Sequence, residues 1–403
     1  MTWKKVTVAM RRLRFVKLAV QAQKSMAVLC REFGWSRRTG YKWKRRFERD
    51  GLRGLRDGSR RPQRCPRQIS ELWLRRIRRL RRRHRSWGSR KLAARLRREY
   101  PGEQPPSVRA VGKWLKRLGL NRGGGRRRPR RGPPIPRPAL TLPCCGNHVW
   151  TADFKGWFRT QDGRRVEPLT VRDLFSRKVL TIRLLPDQSW LPVQREFRRL
   201  FGRNGYPKII RVDNGHPFGS TGPMGLSRLS AWWTALGIRV EFIAPGHPEQ
   251  NGGHEQMHRV FKAETTRPPS RHRRAQQRRT DRWIKTYNQI RPHEALAQRT
   301  PVEFYRRRPG KVRSPKVGYP RHWAVRRVRS NGQIKWRGRK RFVGEAFVGY
   351  PVGLQPGLGD KTRVYFTELP VGELWSSDPG GMRPITYVRG GRRSGRARRR
   401  TKR

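Results

Sequence analysis

Two acidic residues bracket the stretch Val212 to Lys262: Asp213, directly after the apolar run that ends at Val212, and Glu255, inside the helical pattern that follows Asn251. A third acid, Asp153, lies upstream in Val149-Trp-Thr-Ala-Asp-Phe154. Two carboxylates about 4 Å apart repel by roughly 4 kcal/mol at an effective dielectric of 20, so such a cluster persists only where protons or cations occupy it. Oxygen ligands of this hardness favour Mg²⁺ or Mn²⁺. A pair of such ions activates a water or a 3′-hydroxyl and stabilises the leaving oxygen of an in-line displacement, which is the chemistry of phosphodiester cleavage.

The elements around these acids are those such a site needs. Apolar runs at Val149 to Phe154, Val166 to Leu174 and Val179 to Leu185 read as three meandering strands. After them come a helix from Trp190 to Phe201, a strand from Lys208 to Val212, a helix from Leu226 to Leu236, a strand from Val240 to Ala244 and a long helix from about Asn251. Asp153 then lies in the first strand and Asp213 at the carboxyl end of the fourth, where functional groups of α/β sheets gather. Asn251 is placed to cap the helix of Glu255, with Gly252 and Gly253 leaving its first turn open. From Glu255 one stripe continues through His258, Arg259 and Lys262, which together with Asn251 are expected to hold DNA phosphates. Taken singly, Asp153 reads as a strand-edge residue, Asp213 as a turn former and Glu255 as a surface partner of Arg259; their ordered placement on strand, strand and helix favours chemistry. Asp173 and Glu264 are the next candidates.

A chain of 403 residues implies several domains, and 100 Lys and Arg against 26 Asp and Glu give a net charge of +74 that calls for a polyanion. Nucleic acid is the expected partner. Two helical patterns meet at Gly34-Trp35, with Leu29 and Phe33 on the first and Trp43 and Phe47 on the second, a helix-turn-helix spacing. Ser36 is set to cap the second helix, whose Arg37, Arg38, Lys42, Lys44 and Arg45 are free to face a groove. A second unit follows with helices from about Ile69 to Arg83, Ser89 to Tyr100 and Ser107 to Leu118. The domains are therefore residues 1–62 and 63–122 as helix-turn-helix units, 123–143 as a basic Gly- and Pro-rich linker, 144–308 as an α/β core, 309–380 as a small C-terminal β-barrel and 381–403 as a basic disordered tail. Asn331-Gly332 marks a hairpin between Val325 to Arg329 and Gln333 to Trp336, with further strands at Phe342 to Val348, Arg363 to Thr367 and Gly372 to Trp375. Cys30, Cys65, Cys144 and Cys145 lack zinc-site spacing and fit a reducing cytoplasm. No apolar run approaches the ~20 residues of a spanning helix, and the start lacks the apolar stretch of a signal peptide.

Trp150-Thr-Ala-Asp153, Asp213-Asn-Gly215 with Pro217-Phe218, Leu236-Gly-Ile238, Pro245-Gly-His-Pro-Glu-Gln-Asn-Gly252 leading to Glu255, and Arg291-Pro-His-Glu-Ala-Leu296 with Thr300-Pro301 resemble the catalytic core of DDE transposases and retroviral-type integrases, especially bacterial insertion-sequence transposases. Cys30-Arg-Glu-Phe-Gly34 and Thr39-Gly-Tyr-Lys-Trp43 are similar to the helix-turn-helix that precedes such cores. The resemblance implies an RNase H-like fold and two Mg²⁺ or Mn²⁺ ions held by Asp153, Asp213 and Glu255. It further implies cleavage and strand transfer at an element's terminal repeats, a homo-oligomer on double-stranded DNA and a nucleoid-associated cytoplasmic location. Between Asp213 and Glu255 lie 41 residues, against roughly 35 in the retroviral pattern. The surplus falls in the Gly- and Ser-rich Phe218 to Leu226, read as a longer loop; Glu249 would restore the shorter spacing but precedes the helix and lacks the cationic stripe. The rival readings are a catalytically silent DNA-binding or repressor protein and an RNase H-like nuclease.

Overall fold

The computed structural model describes residues 7–58, 69–121, 140–244, 247–310, 313–315, 317–378 and 381–385. Residues 59–68, 123–139 of the expected linker and 386–403 of the expected tail lie outside the described residues, as do the side chains of Pro248 and Glu249. The chain divides into two units, Met1–Gln68 and Ile69–Arg403.

In the first unit α1 (Val8–Val20), which the sequence reading did not include, joins α2 (Met26–Glu32) and α3 (Arg37–Asp50) around Phe15, Val16, Leu29, Cys30, Trp43 and Leu55. Burying side chains of this size contributes roughly 1.5–3 kcal/mol each. Gly40 permits the close crossing, since a Cβ there would lie 2.4 Å from Cys30 Sγ and 2.9 Å from Phe15. Ser36 Oγ accepts from the Thr39 N–H at 3.2 Å, so the expected cap of α3 forms.

The second unit opens with α4 (Glu71–Arg83), α5 (Ser89–Glu99) and α6 (Val108–Arg117), packed through Ile77, Leu80, Trp87, Leu92, Leu96, Val111 and Leu115. Ser107 caps α6 by accepting from the Ala110 N–H at 3.2 Å. Far from being tethered apart, this helical bundle rests on the α/β core: Ser86 bonds Glu264, Arg90 pairs with Glu294, and Arg98 reaches Glu303 at 2.8 Å.

The core is built on β1 (Val149–Phe154), β2 (Phe158–Arg159), β3 (Arg165–Asp173) and β4 (Val179–Leu185), followed by α7 (Trp190–Asn204), β5 (Ile209–Val212), α8 (Arg228–Ala235), β6 (Arg239–Phe242), α9 (Gly252–Thr265) and α10 (Arg273–Gln289). β3 runs antiparallel between β1 and β4, and β5 and β6 run parallel beside β1, which is the RNase H-like arrangement expected. On one face α7 and α8 bury Phe197, Phe201 and Trp233 against Trp150, Ala152 and Leu169. On the other, α9 and α10 bury Met257, Phe261, Trp283 and Tyr287 against Val179 and Ile182.

The C-terminal strands are β7 (Ala324–Arg327), β8 (Gln333–Trp336), β9 (Arg339–Phe342), β10 (Pro351–Pro356), β11 (Lys361–Phe366), β12 (Leu369–Trp375) and β13 (Arg383–Pro384). They form an antiparallel sheet β13-β12-β11-β10-β7 and a separate β8-β9 pair around one core; among the described residues no ladder joins β7 to β13 to close a barrel. The Asn331-Gly332 turn forms, with Arg329 N–H donating to Gln333 O at 2.9 Å, but its strands part: β7 pairs with β10 while β8 pairs with β9. Ile334 and Trp336 of β8 are drawn into the core beside Phe347, which explains the divergence. Phe342 to Val348 is not one strand either, because a 3₁₀ turn at Glu345–Phe347 buries Phe347. β13 shows that the last strand enters the span expected to be tail.

Candidate active site

β1 and β5 pair in parallel up to Thr151↔Arg211, so Asp153 and Asp213 each lie two residues further along neighbouring strands. Such strands are about 4.8 Å apart. Burial, and next to it the charge of Asp213, push the Asp153 carboxyl up from 3.8 to about 7; Glu255 adds to the shift and Lys155 opposes it. Burial likewise raises Asp213, against the Gly215 N–H, which donates to Asp213 Oδ1 at 3.2 Å. Asn214 fixes this turn to the next strand, its Nδ2 donating to Ile243 O at 2.7 Å. The two acids are thus held together by the sheet and disfavour a doubly ionised state.

Glu255 is exposed on the first turn of α9. Asn251 occupies the N-cap position but its side chain makes no capping hydrogen bond, so the expected Asn cap does not form. Its backbone, at φ −111° and ψ 19°, lacks the extended conformation from which an N-cap side chain reaches the N2 or N3 amide. What anchors this turn is Arg172, 2% exposed, whose guanidinium donates to Gly253 O. Gly253 gives this guanidinium room, since a Cβ would stand 3.1 Å from both its terminal nitrogens.

The stripe drawn from Glu255 divides in two. Arg259 and Lys262 are exposed as expected, and Asn251 is half-buried. His258 is only 7% exposed and turns inward, so it does not offer a contact to DNA. It shares the buried face of α9 with His254, Met257 and Phe261. His254 Nε2 and His258 Nε2 lie 2.7 and 2.8 Å from Thr170 Oγ1, which donates to Asp153 O at 2.8 Å. Thr151 Oγ1 lies 2.9 Å from His254 Nδ1, and His258 Nδ1 stands 3.8 Å from Asp153 Oδ2. Burial holds His258 down to about 3, with Lys155 and Arg172 adding, and holds His254 well below the ordinary imidazole range, with His258 and Arg172 adding. The signal was in the sequence: His254 and His258 sit at i, i+4 and flank the Met257–Phe261 apolar stripe. Lys155, two residues beyond Asp153, is a further cation at the site, held down by burial and by Lys262.

Both reserve acids belong to the fold. Asp173 accepts from the Asn147 and Ser176 N–H groups at 2.9 and 2.8 Å, and Glu264 accepts from Trp283 Nε1 at 2.6 Å and Arg291 at 3.0 Å. Among the described residues no three His, Cys, Asp or Glu side chains stand close enough together to hold a metal ion. The donor set still fits a hard cation, because two carboxyls fixed at adjacent strand ends have Lys155 as an opposing charge that leaves Asp153 still raised, and the exposed third lies within electrostatic reach of Asp153.

In the first unit Arg37, Arg38, Lys42 and Arg45 are exposed on α3, while Lys44 is half-buried with its ammonium 3.9 Å from Glu48. The aromatic side of this helix is covered instead, with the Arg12 guanidinium 3.9 Å from the centre of the Trp43 ring. Among the described residues no helix is long and apolar enough to cross a membrane.

Two family models described as Integrase core domain match residues 145–248 and 236–301, which contain Asp153 and Asp213 in the first and Glu255 in the second. A Helix-turn-helix domain matches 11–63, a Homeodomain-like domain 39–115, and the C-terminal domain of the IS481 family transposases 323–374. The chain is 36% identical over 183 residues, 44% of its length, to the Insertion element IS407 uncharacterized 31.7 kDa protein of Burkholderia multivorans. It is 30% identical over 227 residues, 55% of its length, to the Insertion element IS476 uncharacterized 39.2 kDa protein of Xanthomonas euvesicatoria. It spans 62% and 61% of these relatives' own lengths. Among solved structures, the HTLV-2 integrase catalytic core domain in complex with magnesium aligns at 16% identity with a TM-score of 0.31, over 40% of this chain and 99% of that one. A simian T-cell lymphotropic virus intasome chain aligns at 16% identity with a TM-score of 0.36, over 71% of this chain and 99% of that one. In this order, a helix-turn-helix domain, the integrase core and an IS481-type C-terminal domain are what the chain is similar to, and both relatives are insertion-element proteins.

Proposed function

We propose that this chain is an active transposase, which binds the terminal repeats of an insertion sequence and cleaves and rejoins DNA strands at Asp153, Asp213 and Glu255. The observation that carries the proposal is the adjacency of Asp153 and Asp213 at the strand ends, where burial and mutual repulsion leave them short of positive charge. Magnesium or manganese, two ions per site, is the cofactor this donor set takes, with Glu255 turning in as the third ligand. When bound, the ions supply an activated water or 3′-hydroxyl and a stabilised leaving oxygen. The chain's own residues do the rest. The Gly215 N–H orients Asp213, while Lys155, Arg259 and Lys262 present cations to the phosphates flanking the scissile bond. α3, through Arg37, Arg38, Lys42 and Arg45, reads the element end in the major groove, and α6 provides a second reader. Two ends must be joined in one reaction, so the working form is a homo-oligomer on element and target DNA, in the bacterial cytoplasm at the nucleoid.

The test is cleavage of duplex DNA carrying the element's terminal repeat, with Mg²⁺, by the full-length protein. Asp153→Asn and Asp213→Asn should each bind that DNA as wild type does and leave it uncut. Wild-type nicking by either variant would remove the assigned chemistry, and end-specific binding without any cleavage by the wild type would favour a repressor.

A further inference from the structure

The hydrogen bonds beneath Asp153 can be satisfied by one arrangement of protons. Thr170 has a single hydroxyl hydrogen and three partners at bonding distance: Asp153 O, His254 Nε2 and His258 Nε2. A carbonyl oxygen only accepts, so the hydroxyl hydrogen goes to Asp153 O, and both imidazoles must then donate to the two lone pairs of Thr170 Oγ1. Each Nε2 therefore carries a hydrogen, and each Nδ1 is turned to a second partner. That of His254 lies 2.9 Å from the Thr151 hydroxyl. That of His258 is left facing Asp153 Oδ2 at 3.8 Å. Every member is buried except Asp153, and the members come from three elements: Thr151 and Asp153 from β1, Thr170 from β3, and the histidines from α9.

We infer that Thr151, Thr170, His254 and His258 form a clamp in which both imidazole Nε2–H groups are aimed at Thr170 Oγ1, and that His258 and Thr170 are positioning residues for Asp153 and for the helix that bears Glu255. Resting on the proposed function for its purpose, the inference concerns how the ligands are held. Asp153 is fixed by its own backbone carbonyl, which Thr170 grips. Glu255 follows His254 directly, so the bonds of His254 to both β1 and β3 set where the first turn of α9 stands above the sheet. An exposed ligand is thus placed by the buried residue beside it. Partners of this kind, one step behind the ligands, typically change metal affinity roughly 10- to 100-fold when removed.

Two measurements on the full-length protein test this. Long-range ¹H–¹⁵N spectra with ¹⁵N-histidine should show a hydrogen on Nε2 of both His254 and His258; a bare Nε2 on either ring, or averaging between tautomers, would overturn the clamp. Mn²⁺ titration followed by electron paramagnetic resonance should show Thr170→Val binding the ion roughly 10- to 100-fold more weakly and Thr170→Ser, which keeps the hydroxyl, within about threefold of wild type. Equal affinity in Thr170→Val and wild type would refute the positioning role, as would a Thr170→Ser loss as large as that of Thr170→Val. Should wild type bind no Mn²⁺, the proposed metal chemistry fails, and the histidine spectra still decide the clamp.

Discussion

Replacing Asp153 by Asn should stabilise the protein in the absence of metal, and the gain should grow with pH. The folded carboxyl titrates near 7 against an ordinary value of 3.8, because burial and Asp213 disfavour its charge. A raised acid pKa means that the folded state binds the proton more tightly than the unfolded chain. Its contribution is therefore fully present below about 4 and is lost as pH rises through about 7. At 1.36 kcal/mol per unit, ionised Asp153 costs the fold on the order of 4 kcal/mol at pH 8 and under about 2 kcal/mol at pH 5. Asn keeps the shape and never ionises, so urea unfolding in a chelator should show the variant ahead of wild type by roughly two to three times more at pH 8 than at pH 5. Mn²⁺ at pH 8 should raise the wild-type midpoint and leave that of Asp153→Asn nearly unmoved. A variant less stable than wild type at pH 8, or a difference independent of pH, would refute the claim that Asp153 is held at electrostatic cost beside Asp213.

Other consequences follow from packing. Gly253→Ala sets a methyl 3.1 Å from the Arg172 guanidinium, and that crowding should cancel the roughly 1 kcal/mol Ala otherwise gains over Gly in a helix, so chemical denaturation should show no stabilisation. Because Glu255 is exposed, Glu255→Gln should leave the unfolding midpoint within about 0.5 kcal/mol of wild type while removing cleavage. Met224 is buried with Leu226, Val343 and Phe347, so Met224→Ala should cost about 2–5 kcal/mol and make the C-terminal sheet the first segment released by limited proteolysis.

Strand order, the positions of Asp153 and Asp213 at neighbouring strand ends and the capped helix α3 were legible in the sequence, because apolar runs and capping residues are local signals. What escaped depends on partners distant in the chain. α10 carries many arginines around a narrow buried stripe of Gln276, Thr280, Trp283 and Tyr287, so its periodicity is half polar. β10 begins and ends in proline, which hides a strand whose Val352 and Leu354 are buried. Phe218 to Leu226 reads as a loop by its Gly and Ser content, yet Phe218 enters the core under Trp233 while Met224 and Leu226 pack into the C-terminal sheet. The surplus spacing before Glu255 is therefore a buried joint between core and C-terminal sheet. His258 was misread for a related reason: a charge stripe judged from Glu255 alone ignores that residues at i+3 on a packed helix can face the sheet.

The sharpest test of the account is which acid after Asp213 serves the site. In Mg²⁺-dependent cleavage and strand transfer of terminal-repeat DNA by the full-length protein, Glu255→Gln should lose at least about 10²-fold in rate, the scale on which charge stabilisation at a reacting group acts. Glu249→Gln should remain near wild type. Retention of activity by Glu255→Gln, with loss in Glu249→Gln, would contradict the site described here.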